Sequence, residues 1–320
     1  IFTSLFFIGE NTAVFITMIL IISYIFFGGF LGSSIVGSIK TVLLYITLSI
    51  SAYLVLKGFN GINGFVSSFP KDPWFNLFSE GIFSGLAQGF SLVVGVCSTQ
   101  TYLQAIFSGK SARESQKGSF LAALLIPPIG LICTIIGMFM RANYPNIISK
   151  QALPLFITSH LNPVIGGIMI ATLIISVVAT GSGLTLGIST MISKDIYKGF
   201  INKKADDKKE LLSLRISVLG VSLLATLMVF LNLDSLILKW AFLSMTLRGT
   251  VVFMPLLFVL ILKDKTPKRA GFISMILAPL ITIILSTFEI IIVDPLYIGM
   301  GVSLIVFIGS YLFNKELKLK

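Results

Sequence analysis

Apolar residues occur in nine long runs that are separated by short polar or charged stretches. Each run is about 20 residues or longer, which an α-helix needs to cross a bilayer with its backbone hydrogen bonds satisfied internally. The pattern therefore predicts about nine transmembrane helices. They cover approximately Asn11–Leu31, Ser33–Leu56, Gly81–Phe107, Gly118–Met140, Pro163–Ser193, Arg215–Asn232, Leu236–Leu262, Ala270–Ile290 and Pro295–Phe313.

Composition and charge narrow the class of protein. Of the 320 residues 55% are hydrophobic and only 12% are charged, which excludes a soluble globular enzyme and predicts an all-α membrane protein. The net charge is +11, but the basic residues cluster in the loops between the apolar runs. Such loops orient membrane helices, so we expect a lipid bilayer as the surroundings and no nucleic acid as a partner.

The same loops predict the orientation of the chain. With nine spans the loops alternate between two sides, and 17 of the 24 Lys and Arg residues fall on one side. The positive-inside rule makes this side cytoplasmic, so we expect a multi-pass protein of the plasma membrane with a cytoplasmic C-terminus. The 17 residues are Lys110, Arg113, Lys117, Lys194, Lys198, Lys203, Lys204, Lys208, Lys209, Arg215, Lys263, Lys265, Lys268, Arg269, Lys315, Lys318 and Lys320.

Two connections on the other side are long, residues 57–76 and 141–162. The second contains a semi-apolar stretch, Ala152–Leu161, which favours a short helix lying at the membrane surface. For the first connection, a short surface helix and a plain loop fit the sequence equally well.

Polar residues inside the predicted spans are costly in a bilayer, so they indicate candidate functional positions. The run Pro163–Ser193 contains Ser176 and Thr180, whose spacing of four residues places both hydroxyls on one helix face. Hydroxyl and carbonyl oxygens are suitable ligands for a monovalent cation. Close packing of helices through small residues explains the same pattern, and the residues alone favour packing.

The run Gly81–Phe107 contains three glycines and becomes polar halfway, at Ser98-Thr99-Gln100-Thr101. Spans of this kind are typical of the discontinuous helices that line a solute site near the bilayer midplane in secondary transporters. A kinked helix near the inner membrane surface is the alternative.

Two cations, Lys40 and Arg248, lie inside predicted spans. A charge at the centre of a membrane helix costs about 2.5–3.5 kcal/mol on insertion scales, so each cation needs a partner or water. Lys40 lies roughly 12 Å from the predicted start of its helix, so its side chain could partly reach the membrane surface. Arg248 is farther from both ends of its span, which favours an internal partner or a water-filled vestibule.

The motifs of membrane enzymes are missing from the sequence. It has no HExxH, no GxSxG, no paired intramembrane carboxylates and no phosphate-binding loop for ATP. A secondary transporter, a channel and a sensor remain compatible with the residues.

Several segments resemble the sodium/solute symporter family, whose members carry sugars, amino acids, carboxylates and vitamins with Na+. Tyr24–Phe30 resembles the aromatic and Gly-Gly start of a family core helix. Gln100–Gln104, Ser108–Arg113 and Gly118 resemble the end of another core helix and the loop that follows it. The segment Ile188–Tyr197 is close to the Asp-Ile-Tyr ending of the family's eighth core helix.

The resemblance implies part of a LeuT-type transporter core of two inverted repeats with extra C-terminal helices. We then expect residues 1–320 to form one transmembrane transporter domain. Residues 11–56 would end the first repeat, residues 81–262 would form the second, and residues 270–313 would be peripheral helices. The chain would be an N-terminally truncated fragment that lacks the first three core helices, and Gly81–Phe107 would be a broken helix of the core.

The resemblance also implies an ion site. The family's Na+ ligands on the eighth core helix fall on Ser176, Ala179 and Thr180, where Ala179 replaces a hydroxyl residue. On the fifth core helix, the family's Asp falls on Gly37 and its Gln falls on Lys40. Loss of a carboxylate and gain of an ammonium both weaken the attraction of a site for a cation.

Solute contacts, by the same resemblance, fall on Thr99, Gln100 and Tyr102, with Ser98 and Thr101 beside them. The sugar-transporting branch has a lysine on its seventh core helix that has no counterpart here, which disfavours a sugar. No metal other than Na+ and no organic cofactor is expected.

We therefore expect a secondary active transporter, not an enzyme, that moves a small hydrophilic solute by alternating access with Na+ as the coupling ion. Two alternatives stay open. Lys40 could replace Na+, which would make transport proton-linked or independent of cations, or the helices could form a solute-sensing membrane protein. A membrane enzyme would need catalytic residues outside this sequence, and the oligomeric state stays open.

Overall fold

A computed structural model of the chain describes residues 1–79, 81–231, 244–262, 268–288 and 295–318. The regular elements in these ranges are all helices. Parts of three predicted runs, residues 232 and 236–243 and residues 289–290, lie outside them.

The helices are numbered here in chain order. A π-helical stretch, Ile192–Ile201, continues α8, and a second one, Gly249–Phe253, lies within α10. The bounds are α1 Phe2–Phe6, α2 Glu10–Gly58, α3 Ile62–Ser67, α4 Ile82–Cys97, α5 Gln100–Phe107, α6 Ala112–Asn143, α7 Ala152–His160, α8 Pro163–Met191, α9 Asp207–Leu231, α10 Ser244–Leu262, α11 Lys268–Phe288 and α12 Pro295–Lys318.

Six helical stretches in the described ranges are long and apolar enough to cross a membrane, and the bent pair α4 and α5 makes seven. The apolar parts of α11 and α12 are shorter. The prediction of an all-α, multi-span membrane protein is confirmed. The six stretches are Glu10–Gly28, Val36–Gly58, Ala112–Asn143, Pro163–Ile201, Asp207–Leu231 and Ser244–Leu262.

The first two predicted spans are joined in one helix, α2, which has 49 residues. At 1.5 Å per residue this helix is about 74 Å long, more than twice the roughly 30 Å thickness of the hydrocarbon layer. The apolar stretches Glu10–Gly28 and Val36–Gly58 within it correspond to the first two predicted spans. The junction is rich in glycine and serine but has no proline and no charge, so no residue there removes a helical hydrogen bond.

By its contacts the chain divides into two compact units. Unit 1 consists of residues 1–74 and 111–233, and unit 2 consists of residues 75–110 and 234–320. These units do not follow the predicted repeats, since α6 to α9 group with α2 while α4, α5 and α10 lie in unit 2. The assignment of repeats therefore stays a prediction.

In unit 1, α3 and α7 help to form a buried apolar cluster at the two long connections. Phe156 and Ile157 of α7 are only 1% and 2% exposed, and they pack in a cluster with Phe65 of α3 and Met169 of α8. The predicted short helix in the second long connection is confirmed, and the first connection also contains a short helix.

The start of α8 is fixed by residues that suit a helix N-terminus. The side chain of Asn162 accepts a hydrogen bond from the backbone N–H of Ile165 at 2.9 Å, and Pro163 occupies the first helical position. An Asn cap satisfies a backbone donor that the first turn leaves without a partner, and proline has no such donor. These residues set the register of the polar positions along α8.

In unit 2, α4 packs against the helices near the C-terminus. Val94 of α4 forms a buried cluster with Met254 of α10 and Leu296 and Met300 of α12. The hydroxyl of Tyr297 donates to the backbone carbonyl of Ala87 at 2.6 Å. The apolar cluster and this hydrogen bond together hold α4 against α10 and α12.

Candidate functional site

The hydroxyls of α8 fall into two groups. Ser182 and Thr190 each donate to the backbone carbonyl three residues earlier, at 3.0 and 2.7 Å, as expected of hydroxyls that serve helix packing. Ser176 and Thr180 form no such bond in the described structure. The oxygen of Ser176 is buried and has no hydrogen-bond partner there. The two predicted Na+ ligands therefore keep their oxygens free of the helix backbone.

Thr180 contacts a cation from the same unit. The ammonium of Lys40, on α2, donates to the Oγ1 atom of Thr180 at 3.0 Å, an ordinary hydrogen-bond distance. Among the residues that the structure describes, Lys40 has no carboxylate partner. Because α2 is continuous, Lys40 lies in the interior of a long helix and its side chain turns towards α8.

The other two predicted positions supply little to bind a cation. Gly37 has no side chain, and its carbonyl accepts a hydrogen bond from the Thr41 hydroxyl at 2.8 Å. A Cβ added at Gly37 would meet no described atom within 4 Å outside its own helix. Ala179 is 6% exposed and has no hydroxyl. The structure thus brings together Lys40 and Thr180, but Gly37 and Ala179 supply neither a carboxylate nor a hydroxyl.

The predicted interruption of the run Gly81–Phe107 is confirmed in unit 2. α4 and α5 meet at an angle of 50°, with Thr99 in an extended conformation between them. The hydroxyls of Ser98 and Thr99 donate to the carbonyls of Val94 and Gly95, both at 2.7 Å. The bond from Thr99 satisfies a carbonyl, that of Gly95, which the end of α4 would otherwise leave without a partner, whereas the Val94 carbonyl also accepts from the backbone N–H of Ser98.

Thr99 also contacts an arginine of α10. The Nη1 atom of Arg248 donates to Thr99 Oγ1 at 2.8 Å, and its Nε atom donates to the carbonyl of Ser244 at 3.0 Å. The side chain of Thr99 is buried, and its single proton is already donated to Gly95. The solute contact predicted for Thr99 stays a prediction, and in the described structure its hydroxyl contacts Arg248.

Glycines allow α4 and α10 to come this close. A Cβ added at Gly95 would lie 2.6 Å from the Cβ of Met245, and one added at Gly249 would lie 2.7 Å from Val94 Cγ1. Both distances are shorter than real Cβ contacts, so a larger residue at either position would force its neighbours to shift. This close approach of α4 and α10 lets Arg248 reach Thr99.

The remaining predicted solute positions differ in exposure. Gln100 donates to Gln104 within α5 at 3.2 Å, Ser98 is buried, and Thr101 is partly buried. Tyr102 is 54% exposed, and its hydroxyl has no partner among the described residues. Among the described residues, Tyr102 on α5 and Arg248 on α10 therefore both have hydrogen-bond donors without an acceptor.

No group of three or more His, Cys, Asp or Glu side chains that could hold a metal ion occurs within the described ranges.

Comparisons with known proteins identify the family and the fold of this chain. The model of the sodium:solute symporter family matches residues 1–278. A solved structure described as the substrate-bound, outward-open state of a Na+-coupled sialic acid symporter is similar, with a TM-score of 0.77. The match covers 96% of this chain and 67% of that one at 17% sequence identity, so it shows a common LeuT-type fold. The chain, a multi-span transporter and not an enzyme, belongs to the sodium:solute symporter family.

Proposed function

We propose that this chain is the transport domain of a secondary active transporter in which the ammonium of Lys40 takes the place of Na+. The transported molecule is a small hydrophilic solute, and transport is proton-linked or independent of cations. The observation that supports this proposal most directly is the 3.0 Å hydrogen bond from Lys40 to Thr180, one of the expected Na+ ligands.

The charge of Lys40 argues against a Na+ ion at the same place. Two unit charges 4 Å apart repel by about 4 kcal/mol at the effective dielectric constant of a partly solvated protein site. That energy corresponds to a loss of roughly a thousandfold in Na+ affinity. The oxygen of Thr180 is also already an acceptor for the ammonium. A charged Lys40 therefore competes with Na+ in two ways. It occupies the hydroxyl oxygen of Thr180, and its positive charge repels the ion.

A tethered ammonium changes how transport can be driven. A Na+ ion enters from one side and leaves to the other, so its gradient can drive the solute, whereas Lys40 stays in the protein. Alternating access then depends on the solute shifting the equilibrium between outward-open and inward-open states. Coupling to a proton gradient then requires that Lys40 itself gains and loses a proton during the transport cycle.

Na+ coupling is the second candidate, and one observation favours it. The buried oxygen of Ser176 lies one helical turn from Thr180 and has no partner in the part of the chain that is described. A hydroxyl oxygen on the same helix face as Thr180 is a suitable ligand for a monovalent cation. Membership of the family also supports Na+.

We propose a plasma-membrane location with the C-terminus in the cytoplasm. The unequal distribution of basic residues between the two sets of loops supports this orientation.

Uptake into proteoliposomes tests the role of Lys40. A panel of labelled solutes would be offered under separate inward Na+ and H+ gradients, with choline replacing Na+ in the controls. We expect the unmodified protein to take up its solute equally well in Na+ and in choline. We expect Lys40→Gln to lower uptake in choline at least about tenfold, because the amide keeps a hydrogen-bond donor but loses the charge.

Lys57→Gln is the matched control, since Lys57 is an exposed lysine in the last turn of the same helix. It should leave uptake unchanged. Uptake that follows the Na+ gradient and survives Lys40→Gln would contradict the proposal and favour Na+ bound by Ser176 and Thr180. Solute binding without any uptake would indicate a sensor.

A further inference from the structure

The guanidinium of Arg248 is a cation without a counter-charge in the described structure. It donates to the hydroxyl of Thr99 and to the carbonyl of Ser244, and both acceptors are neutral. The ion pairs found in the described residues, Lys150 with Glu10 and Lys198 with Glu210, do not involve it. An uncompensated charge within a membrane span is costly and indicates a functional position.

Part of the guanidinium remains available for a ligand. Arginine has five N–H donors in a planar fork, and two of them are used by Thr99 and Ser244. The remaining donors, on Nη1 and Nη2, have no acceptor among the described residues. Adjacent parallel N–H donors match the two oxygens of a carboxylate, which arginine binds in a bidentate manner.

The arginine is also held in place and does not swing freely. Its two hydrogen bonds come from different helices, one from the preceding turn of α10 and one from the break between α4 and α5. Thr99 can accept from Arg248 because its own proton goes to Gly95 at 2.7 Å. An oriented cation at a broken helix is pre-organised to bind an anionic group.

We propose that Arg248 binds the carboxylate of the transported molecule, so that the solute is a small organic carboxylate, and that Thr99 is a positioning residue for Arg248. This inference rests on the proposed transport function and adds the class of solute to it. A monocarboxylate neutralises the single charge of Arg248, whereas a phosphate dianion would leave a negative charge within the span. Tyr102 adds an exposed neutral donor on α5.

Solute exchange in proteoliposomes tests the proposal without depending on the coupling ion. Vesicles loaded with unlabelled solute would be exposed to labelled propionate, lactate or pyruvate, to the matched amides propionamide and lactamide, and to inorganic phosphate. We expect exchange of at least one carboxylate and of neither amide nor phosphate. Arg248→Gln should lower carboxylate exchange by about a hundredfold or more, because it removes one partner of a desolvated charge pair.

Other variants separate binding from folding. Arg248→Lys, which keeps the charge but not the fork, should retain part of the exchange. Thr99→Val should raise the KM for the carboxylate about tenfold with little change in kcat, and Thr99→Ser should restore it. Arg269→Gln, an exposed arginine at the start of α11, is the control and should have no effect. Tm and monodispersity in detergent would show which variants fold.

Exchange of the amides or of phosphate instead of carboxylates would overturn the assignment of solute class and leave the transport function standing. Carboxylate exchange that persists in folded Arg248→Gln would overturn the role of the arginine. Lack of exchange for every solute in the unmodified protein would overturn this inference together with the transport function on which it rests.

Discussion

Transport is expected to become dependent on Na+ when Gly37→Asp, Lys40→Gln and Ala179→Ser are combined. The three changes restore the residues that the family pattern places at its Na+ site. They remove the competing ammonium, add a carboxylate and add a third hydroxyl near Ser176 and Thr180. We expect uptake by the triple variant to rise at least about tenfold from choline to Na+.

The expected size follows from simple electrostatics. Removal of a like charge and addition of an opposite charge, each about 4 Å from the ion, change its energy by about 4 kcal/mol apiece at an effective dielectric constant of 20. The structure leaves room for the new side chain, because a Cβ at Gly37 would meet no described atom within 4 Å beyond its own helix. The hydroxyl of a serine at Ala179 adds only one atom at a buried position.

A second readout does not require the solute. Bound Na+ stabilises the folded protein by about 2.7 kcal/mol when its concentration is a hundred times Kd, so Na+ should raise the Tm of the triple variant but not that of the unmodified protein. The control carries Gly37→Asn in place of Gly37→Asp, which keeps the size but removes the charge. If the triple variant folds and shows no response to Na+ in either assay, these positions do not form a Na+ site.

Gly299→Ala is expected to destabilise unit 2 strongly. A Cβ at this position of α12 would clash with both Thr250 Cγ2 and Thr282 Oγ1. Both threonines are completely buried, and their hydroxyls donate to carbonyls of their own helices at 2.9 and 2.8 Å. Because β-branched side chains have few rotamers, neither can move aside cheaply. Overpacking of this kind costs about 1–3 kcal/mol, with a loss of roughly 2–4 °C in Tm for each kcal/mol.

Gly301, two residues along the same helix, provides the matched control. A Cβ there would meet no described atom within 4 Å outside the helix backbone. Gly301→Ala should therefore leave the Tm unchanged or raise it slightly, since alanine favours a helix by about 0.5–1 kcal/mol over glycine. The double variant Gly299→Ala with Thr250→Ala should recover part of the loss. Equal Tm values for the two alanine variants would mean that α12 does not pack against Thr250 and Thr282 as described.

Much of the fold could be predicted because the sequence features that indicate it, apolar runs and charged loops, are local. The length of an apolar run and the position of charged loops do not depend on how helices pack, so the membrane class, the helical fold and most spans followed from the sequence. The break at Thr99 was also foreseen, since glycines and polar residues in the middle of a span mark it. The sequence did not show that one helix, α2, contains both of the first two predicted spans, because glycine and serine between them do not by themselves end a helix.

The candidate sites were only partly predictable. The family pattern pointed to Thr180 and Lys40 separately, but no sequence signal linked them across 140 positions. The solute role that the family resemblance implies for Thr99 stays a prediction, whereas its donation to Gly95 and its contact with Arg248 could not be seen in the sequence. Hydroxyl side chains have several possible partners, and only packing decides which one they meet.

By itself the sequence determined that this protein is a multi-span helical transporter of the symporter family and that Gly37 and Ala179 occupy the positions where the family resemblance implies a carboxylate and a hydroxyl. These features depend on residue identity and on short-range order. The tertiary structure alone decided that the ammonium of Lys40 donates a hydrogen bond to the hydroxyl of Thr180. It also decided that Arg248 donates to the hydroxyl of Thr99, 149 residues away. Such contacts depend on which helix faces pack together and on the glycines that let the helices come close, and neither is encoded in a local pattern.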